Sequence, residues 1–129
     1  MENSFIDLII RIKNGYMAQR ERVVIRFSKM NESILAKLKE LGYISAYEVR
    51  NEDKKQEIEV ELLYQDSVPA FTDVKVQSTP GKRFYVSYKE LKPVLGGLGH
   101  SLISTPRGIL TNTEARKEKV GGELLFIIW

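Results

Sequence analysis

Apolar side chains at Phe5, Leu8, Ile9 and Ile12 recur at i, i+3, i+4 and i+7, the stripe of an amphipathic helix. Ser4 with Asp7 three residues later reads as a capping-box start, and Gly15 as its stop. Arg11 and Lys13 stand near its C-terminal end, where cations complement the helix dipole. Residues 22–27 alternate, with Val23, Ile25 and Phe27 on one face of a strand. Ser28 is placed to cap a second helix whose buried stripe is Met30, Ile34, Leu38 and Leu41, with Leu35 beside it and Gly42 ending it. Residues 43–50 read as a strand and 51–53 as a polar turn. Residues 55–64 alternate again, putting Ile58, Val60, Leu62 and Tyr64 inward and Glu57, Glu59 and Glu61 outward.

Residues 65–70, with Asp66, Ser67 and Pro69, have the composition of a linker, which predicts two domains, 1–65 and 66–129. Beyond it the pattern predicts a strand over 71–77 and a turn at 78–81. A strand over 82–88 follows, with Phe84, Val86 and Tyr88 sharing a face. Residues 89–95 predict a short helix with Pro93 near its start, closed by Gly96, Gly97 and Gly99. A strand at 100–104, a turn at 105–108, a helix opened by the Thr111-x-x-Glu114 capping box and a strand at 123–129 complete the chain. Helices and strands are mixed within each half of the chain.

Composition narrows the chemistry. The 129 residues, 43% hydrophobic, suffice for a real core. There is no cysteine, which excludes disulfides, thiol catalysis and cysteine zinc sites. His100 is the only histidine, too little for a hydrolase triad or a metal cluster, and reads first as a core or boundary residue. No cofactor is implied: the 96–99 glycines lack the third glycine of a dinucleotide fingerprint and follow a helix instead of a strand. No apolar run approaches a membrane span, and the acidic start at Glu2 is unlike a signal peptide, so no membrane partner is expected. The expected setting is the cytoplasm, or an organelle that makes the chain itself.

The net charge of +3 is unevenly placed. Residues 1–65 hold 11 basic and 11 acidic side chains, whereas residues 66–129 hold 9 and 6. A polyanion is therefore expected at the second half first. Two hydroxyl-rich turns there carry cations, Lys82 and Arg83 in one and Arg107 in the other. Short hydroxyls and backbone groups suit the wide minor groove of folded RNA, and the cations suit its phosphates. The same residues also build ordinary turns. The acids of 57–61 leave an enzyme with a carboxylate site as a competing class, against which their open strand face argues.

A series of motifs runs along the chain: Asp7 to Gly15, Ser28-Lys29, Leu41 to Ile44, Pro80-Gly81-Lys82-Arg83-Phe84-Tyr85 and Gly96-Gly97-Leu98-Gly99. Ser104-Thr105-Pro106-Arg107-Gly108, Thr111 to Arg116 and Val120-Gly121-Gly122-Glu123 continue it. In this order the motifs resemble the small-subunit ribosomal protein eight family in its bacterial form. The resemblance covers nearly the whole chain. It implies two α+β domains packed together and a non-enzymatic constituent of the small ribosomal subunit that binds the central domain of its rRNA. Its implied main RNA surface is Ser104, Thr105, Arg107, Gly108, Gly121, Gly122 and Glu123, with Pro80, Lys82, Arg83 and Tyr85. Arg11, Asn14, Ser28 and Lys29 are implied as secondary contacts. Implied partners are that rRNA, neighbouring small-subunit proteins and the protein's own messenger RNA. A free-standing RNA-binding repressor of a ribosomal-protein messenger is the alternative within the same resemblance. Pro106 stands where the family loop commonly has serine, which removes a hydroxyl and an N–H donor and stiffens the turn; Thr79 and Val76 stand where basic residues are common, which implies a less positive face.

Overall fold

A computed structural model describes residues 4–129, the side chains of Ser4 and Glu52 apart. The acidic start and the Ser4 cap therefore lie outside the described groups. The chain divides into two compact units, one ending at Phe71 and the other running Thr72–Trp129.

In the first unit, α1 (Ser4–Met17) buries Phe5, Leu8, Ile9 and Ile12, the stripe read from the sequence. It does not stop at Gly15. A Cβ there would lie 2.5 Å from Val23 Cγ1 and 3.1 Å from Leu62 Cδ1, so the glycine lets the helix press onto the sheet instead of ending it. The extra turn carries Tyr16, whose hydroxyl donates to Tyr43 O at 2.6 Å and accepts from Leu63 N at 3.0 Å. Burial pushes this phenol above its ordinary pKa. Its ring meets Tyr64 and Phe71 edge-on at 5.3 and 4.8 Å.

The sheet of this unit has the order β1 (Arg22–Arg26), β3 (Lys55–Glu61), β2 (Ala46–Glu52), antiparallel throughout. Helix α2 (Lys29–Glu40) is capped by Ser28, whose Oγ accepts from Asn31 N at 2.9 Å, and buries Ile34, Leu35 and Leu38. The β2 strand starts later than expected because the chain is still closing α2 there: Gly42 has φ of 85° and Tyr43 N donates to Leu38 O at 2.9 Å. The turn moves to Asp53 and Lys54, both at positive φ (44° and 67°), the backbone of a tight two-residue hairpin. On the outer face Glu59 meets Arg50 at 3.3 Å and Arg22 at 3.7 Å. Of the three acids, Glu59 is thus paired with two arginines across the sheet. Residues 65–70 are not an open linker: β4 (Tyr64–Gln65) and β5 (Val68–Pro69) pair around Asp66 and Ser67.

In the second unit β6 (Val74–Val76), β10 (Gly122–Ile128), β8 (His100–Thr105) and β9 (Gly108–Thr111) lie in that order, and β7 (Tyr85–Val86) also pairs with β10. Helix α3 (Asn112–Glu118) opens on the expected capping box, with Thr111 Oγ1 accepting from Glu114 N at 3.1 Å and Glu114 Oε1 accepting from Thr111 N at 2.9 Å. Leu91, Ile103, Leu110, Ala115 and Leu124 form a core cluster, with Val86 and Val120 packed on it. Two expectations fail here. Residues 82–88 are strand only at β7, and Phe84 is 40% exposed instead of inward. Residues 89–95 are not an α-helix but two single turns of 3-10 helix, Tyr88–Glu90 and Leu95–Gly97, because Pro93 sits between them without an N–H to continue a ladder. The strand β9 was unforeseen, its four residues being hidden between a turn and a helix cap.

Candidate nucleic-acid interface

The strand β10 organises one end of the second unit. Its first residues pair on one side with β7 (Gly122 with Val86, Glu123 with Tyr85) and on the other with β8 (Glu123 with Ser104). The two turns singled out from the sequence are therefore neighbours across the start of one strand. Both glycines there have internal reasons. A Cβ on Gly122 would lie 2.1 Å from Ser104 O, and one on Gly121 2.4 Å from Val86 O, so the strands close only around glycine.

A bulge sets the first turn. The β8–β10 register slips between Leu124 and Phe126, leaving Leu125 opposite no residue of β8. Its carbonyl instead accepts from Gln77 N at 3.0 Å and Ser78 N at 3.3 Å. Ser78 is fully buried; its Oγ accepts from Phe84 N at 3.2 Å and its hydroxyl donates to Glu123 Oε2. From this anchor the chain loops outward. Residues 79–85 are all exposed, among them Pro80, Lys82, Arg83, Phe84 and Tyr85, with Tyr85 70% exposed. Two cations and two rings on one short loop are the components of a phosphate and base-stacking surface.

The second turn is held by Thr105. Its hydroxyl donates to Gly108 O at 2.8 Å and its Oγ1 accepts from Arg107 N at 3.1 Å. Gly108 has φ of 105°, which only glycine adopts without strain. Pro106 and Arg107 form the exposed tip, and Ser104 is half-buried beside it.

The cations differ in what already holds them. Arg83 Nη1 meets Glu123 Oε2 at 3.2 Å, and Arg107 Nη1 meets Glu118 Oε1 at 3.1 Å. Lys82 has no carboxylate partner among the described residues. Ser78, Phe84 and Glu118 were missed by sequence reasoning. Ser78 had a signal, since it opens the hydroxyl-rich turn; the other two depend on tertiary placement.

The remaining predicted residues belong to the first unit. Arg11 pairs with Asp7 at 3.0 Å and lines an open cleft of about 660 Å³ with Arg26, Lys55 and Glu57. Asn14 is exposed a turn further along α1. Lys29 is exposed beside Ser28, whose oxygen serves the helix cap. Among the described residues no three metal-ligating side chains gather, and no helix is long and apolar enough to cross a membrane. His100 lies at the opposite end of β8 from the two turns. It borders a smaller cleft with Arg116, Thr113 and Asn112, and burial pulls its pKa below the ordinary value while Glu114 opposes that shift.

Fold and face together define a class: a two-unit α+β protein whose distinctive feature is an exposed surface of loops around a braced strand. Comparison with known sequences gives the family. The profile of the family described as Ribosomal protein S8 matches residues 3–129, and the chain belongs to that family. A protein of Dictyoglomus thermophilum named small ribosomal subunit protein uS8 is 46% identical over 95% of this chain and 94% of its own length. The uS8 of Rubrobacter xylanophilus is 44% identical over 95% and 94%, and the protein of Tupiella akineta named uS8c is 43% identical over 95% of both. The family is one of structural, non-enzymatic ribosomal proteins, so the enzyme alternative falls with the resemblance now established.

Proposed function

We propose that this protein is a primary binder of the central domain of small-subunit rRNA and supports assembly of that subunit, with the Thr72–Trp129 unit as its main RNA surface. The supporting observation is the adjacency of the 79–85 loop and the 105–108 turn across Gly122 and Glu123. A single RNA helix reaches both. Lys82 neutralises phosphate, and Tyr85 with Phe84 offers rings to unstacked bases. Ser104 and the loop backbone meet base edges or 2′-hydroxyls. Arg11, Asn14, Ser28 and Lys29 supply secondary contacts from the first unit, and neighbouring subunit proteins cover other surfaces.

The test is ultraviolet crosslinking of the purified protein to total small-subunit rRNA with the sites mapped. Crosslinks from residues 79–85 and 104–108 to one helix of the central domain are expected. Crosslinks scattered over the rRNA, or confined to the first unit, sink the reading. Co-sedimentation with small subunits on a sucrose gradient separates a resident constituent from a free-standing repressor of a messenger, which would stay at the top.

A further inference from the structure

An acid stands in the middle of a surface read as gripping a polyanion. Glu123 lies in β10 between the two turns, with its side chain 18% exposed, and its Oε2 takes both Arg83 Nη1 at 3.2 Å and the Ser78 hydroxyl. Oε1 has no partner among the described residues. Ser78 fixes this arrangement by elimination. Phe84 N–H already occupies an acceptor site on its oxygen at 3.2 Å, and its single proton goes to a carboxylate that only accepts. Full burial leaves that hydroxyl no water to turn toward.

A carboxylate so held does two things to an approaching nucleic acid. It cancels the charge of Arg83 and repels phosphate, which weakens binding that depends on backbone charge alone. It also accepts from groups that only bases and riboses carry, amino groups and 2′-hydroxyls. We propose that Glu123, held in place by Ser78, is the specificity-determining residue of this surface: it withholds Arg83 from phosphate and directs Oε1 to a donor on a folded RNA. Ser78 is the positioning residue that acts through it. The inference rests on the RNA-binding reading and deepens it.

Fluorescence anisotropy with a labelled small-subunit rRNA transcript and with polyuridylate, each over a range of KCl, tests both parts. Glu123→Gln keeps the shape and removes the charge. It is expected to bind polyuridylate about threefold tighter with a salt slope steeper by about 0.7, one further phosphate contact on a single strand. The preference for the rRNA transcript falls about tenfold. Ser78→Ala lowers the preference without changing the slope, and adds little to Glu123→Gln, as expected of residues acting through one group. Arg83→Gln leaves the polyuridylate slope at its wild-type value, and decides the matter if circular dichroism shows that Glu123→Gln does not fold. An unchanged slope and preference in Glu123→Gln, or a slope lowered by one contact in Arg83→Gln, overturns the proposal. A wild-type protein that binds neither RNA, or both alike, refutes the rRNA-specific reading and the filter with it. Wild-type preference beside an unaltered Glu123→Gln refutes the filter alone.

Discussion

Thr105 shows how the chemistry of one side chain settles what a motif is for. Its hydroxyl reads from the sequence as a hydrogen-bonding group for RNA, but in the fold both its proton and one lone pair close its own turn. In the proposed interface Thr105 would therefore act through the shape of the 105–108 tip. Thr105→Ala is expected to cost about 1 kcal/mol in urea unfolding as well as weakening rRNA binding. Thr105→Ser restores both, and an Ala variant of wild-type stability that still binds poorly would show the hydroxyl touching RNA directly. His100 carries a different lesson. Its folded pKa is held below the ordinary 6.5 by burial, so the unfolded chain binds the extra proton more readily. Stability is full above the unfolded value and falls as the pH drops through it toward the lower folded value. The urea midpoint should decline between pH 7 and 5.5, and His100→Gln should flatten that decline. Parallel curves for the two proteins would rule it out.

At the scale of elements, the sequence carried what depends on local periodicity and capping. The α1 stripe, the Ser28 cap, the alternation at Ile58, Val60 and Leu62, and the Thr111–Glu114 box are all present. What it hid depends on contacts distant in the chain. Gly15 has the signature of a helix stop, yet it serves close packing against Val23 and Leu62. Phe84 alternates as a buried residue would, yet it is 40% exposed; its N–H goes to Ser78 Oγ while its carbonyl accepts from Leu124 N of β10 at 2.8 Å. Strand closeness also explains why Gly122 tolerates no side chain. Gly122→Ala pushes a Cβ against Ser104 O, a backbone atom with little room to yield. We expect a loss of about 1–3 kcal/mol, as for other overpacked sites, read as a lower thermal midpoint. The same variant should lose rRNA binding, since the two turns are spaced by that pairing. An Ala variant of unaltered midpoint would contradict the assigned close approach.

For the molecule as a whole, a charge count points to the second half of the chain but does not say which of its ions already face carboxylates. The excess of basic residues lies beyond residue 65, yet two of the cations singled out there, Arg83 and Arg107, already face carboxylates. Such pairing is set by the fold and leaves no mark in a charge count. Lys82 is the cation of this surface without such a partner, so it should dominate the response to salt. Lys82→Ala is expected to reduce the salt slope of rRNA binding by about 0.7–0.9 and to weaken binding to all RNAs alike. A slope equal to wild type in a filter-binding titration would remove Lys82 from the phosphate contacts.

The bulge at Leu125 has a consequence for how this surface can change over generations. The residue is surplus to the β8–β10 pairing, and the group that tethers Gln77 and Ser78 is its main-chain oxygen. Substitution at position 125 leaves that oxygen in place. Deletion shifts every residue before it by one place along the strand and is expected to loosen the hold on Gln77 and Ser78. The geometry of the loop is thus inherited as a residue count, and a descendant could keep every functional side chain and still present them in the wrong place.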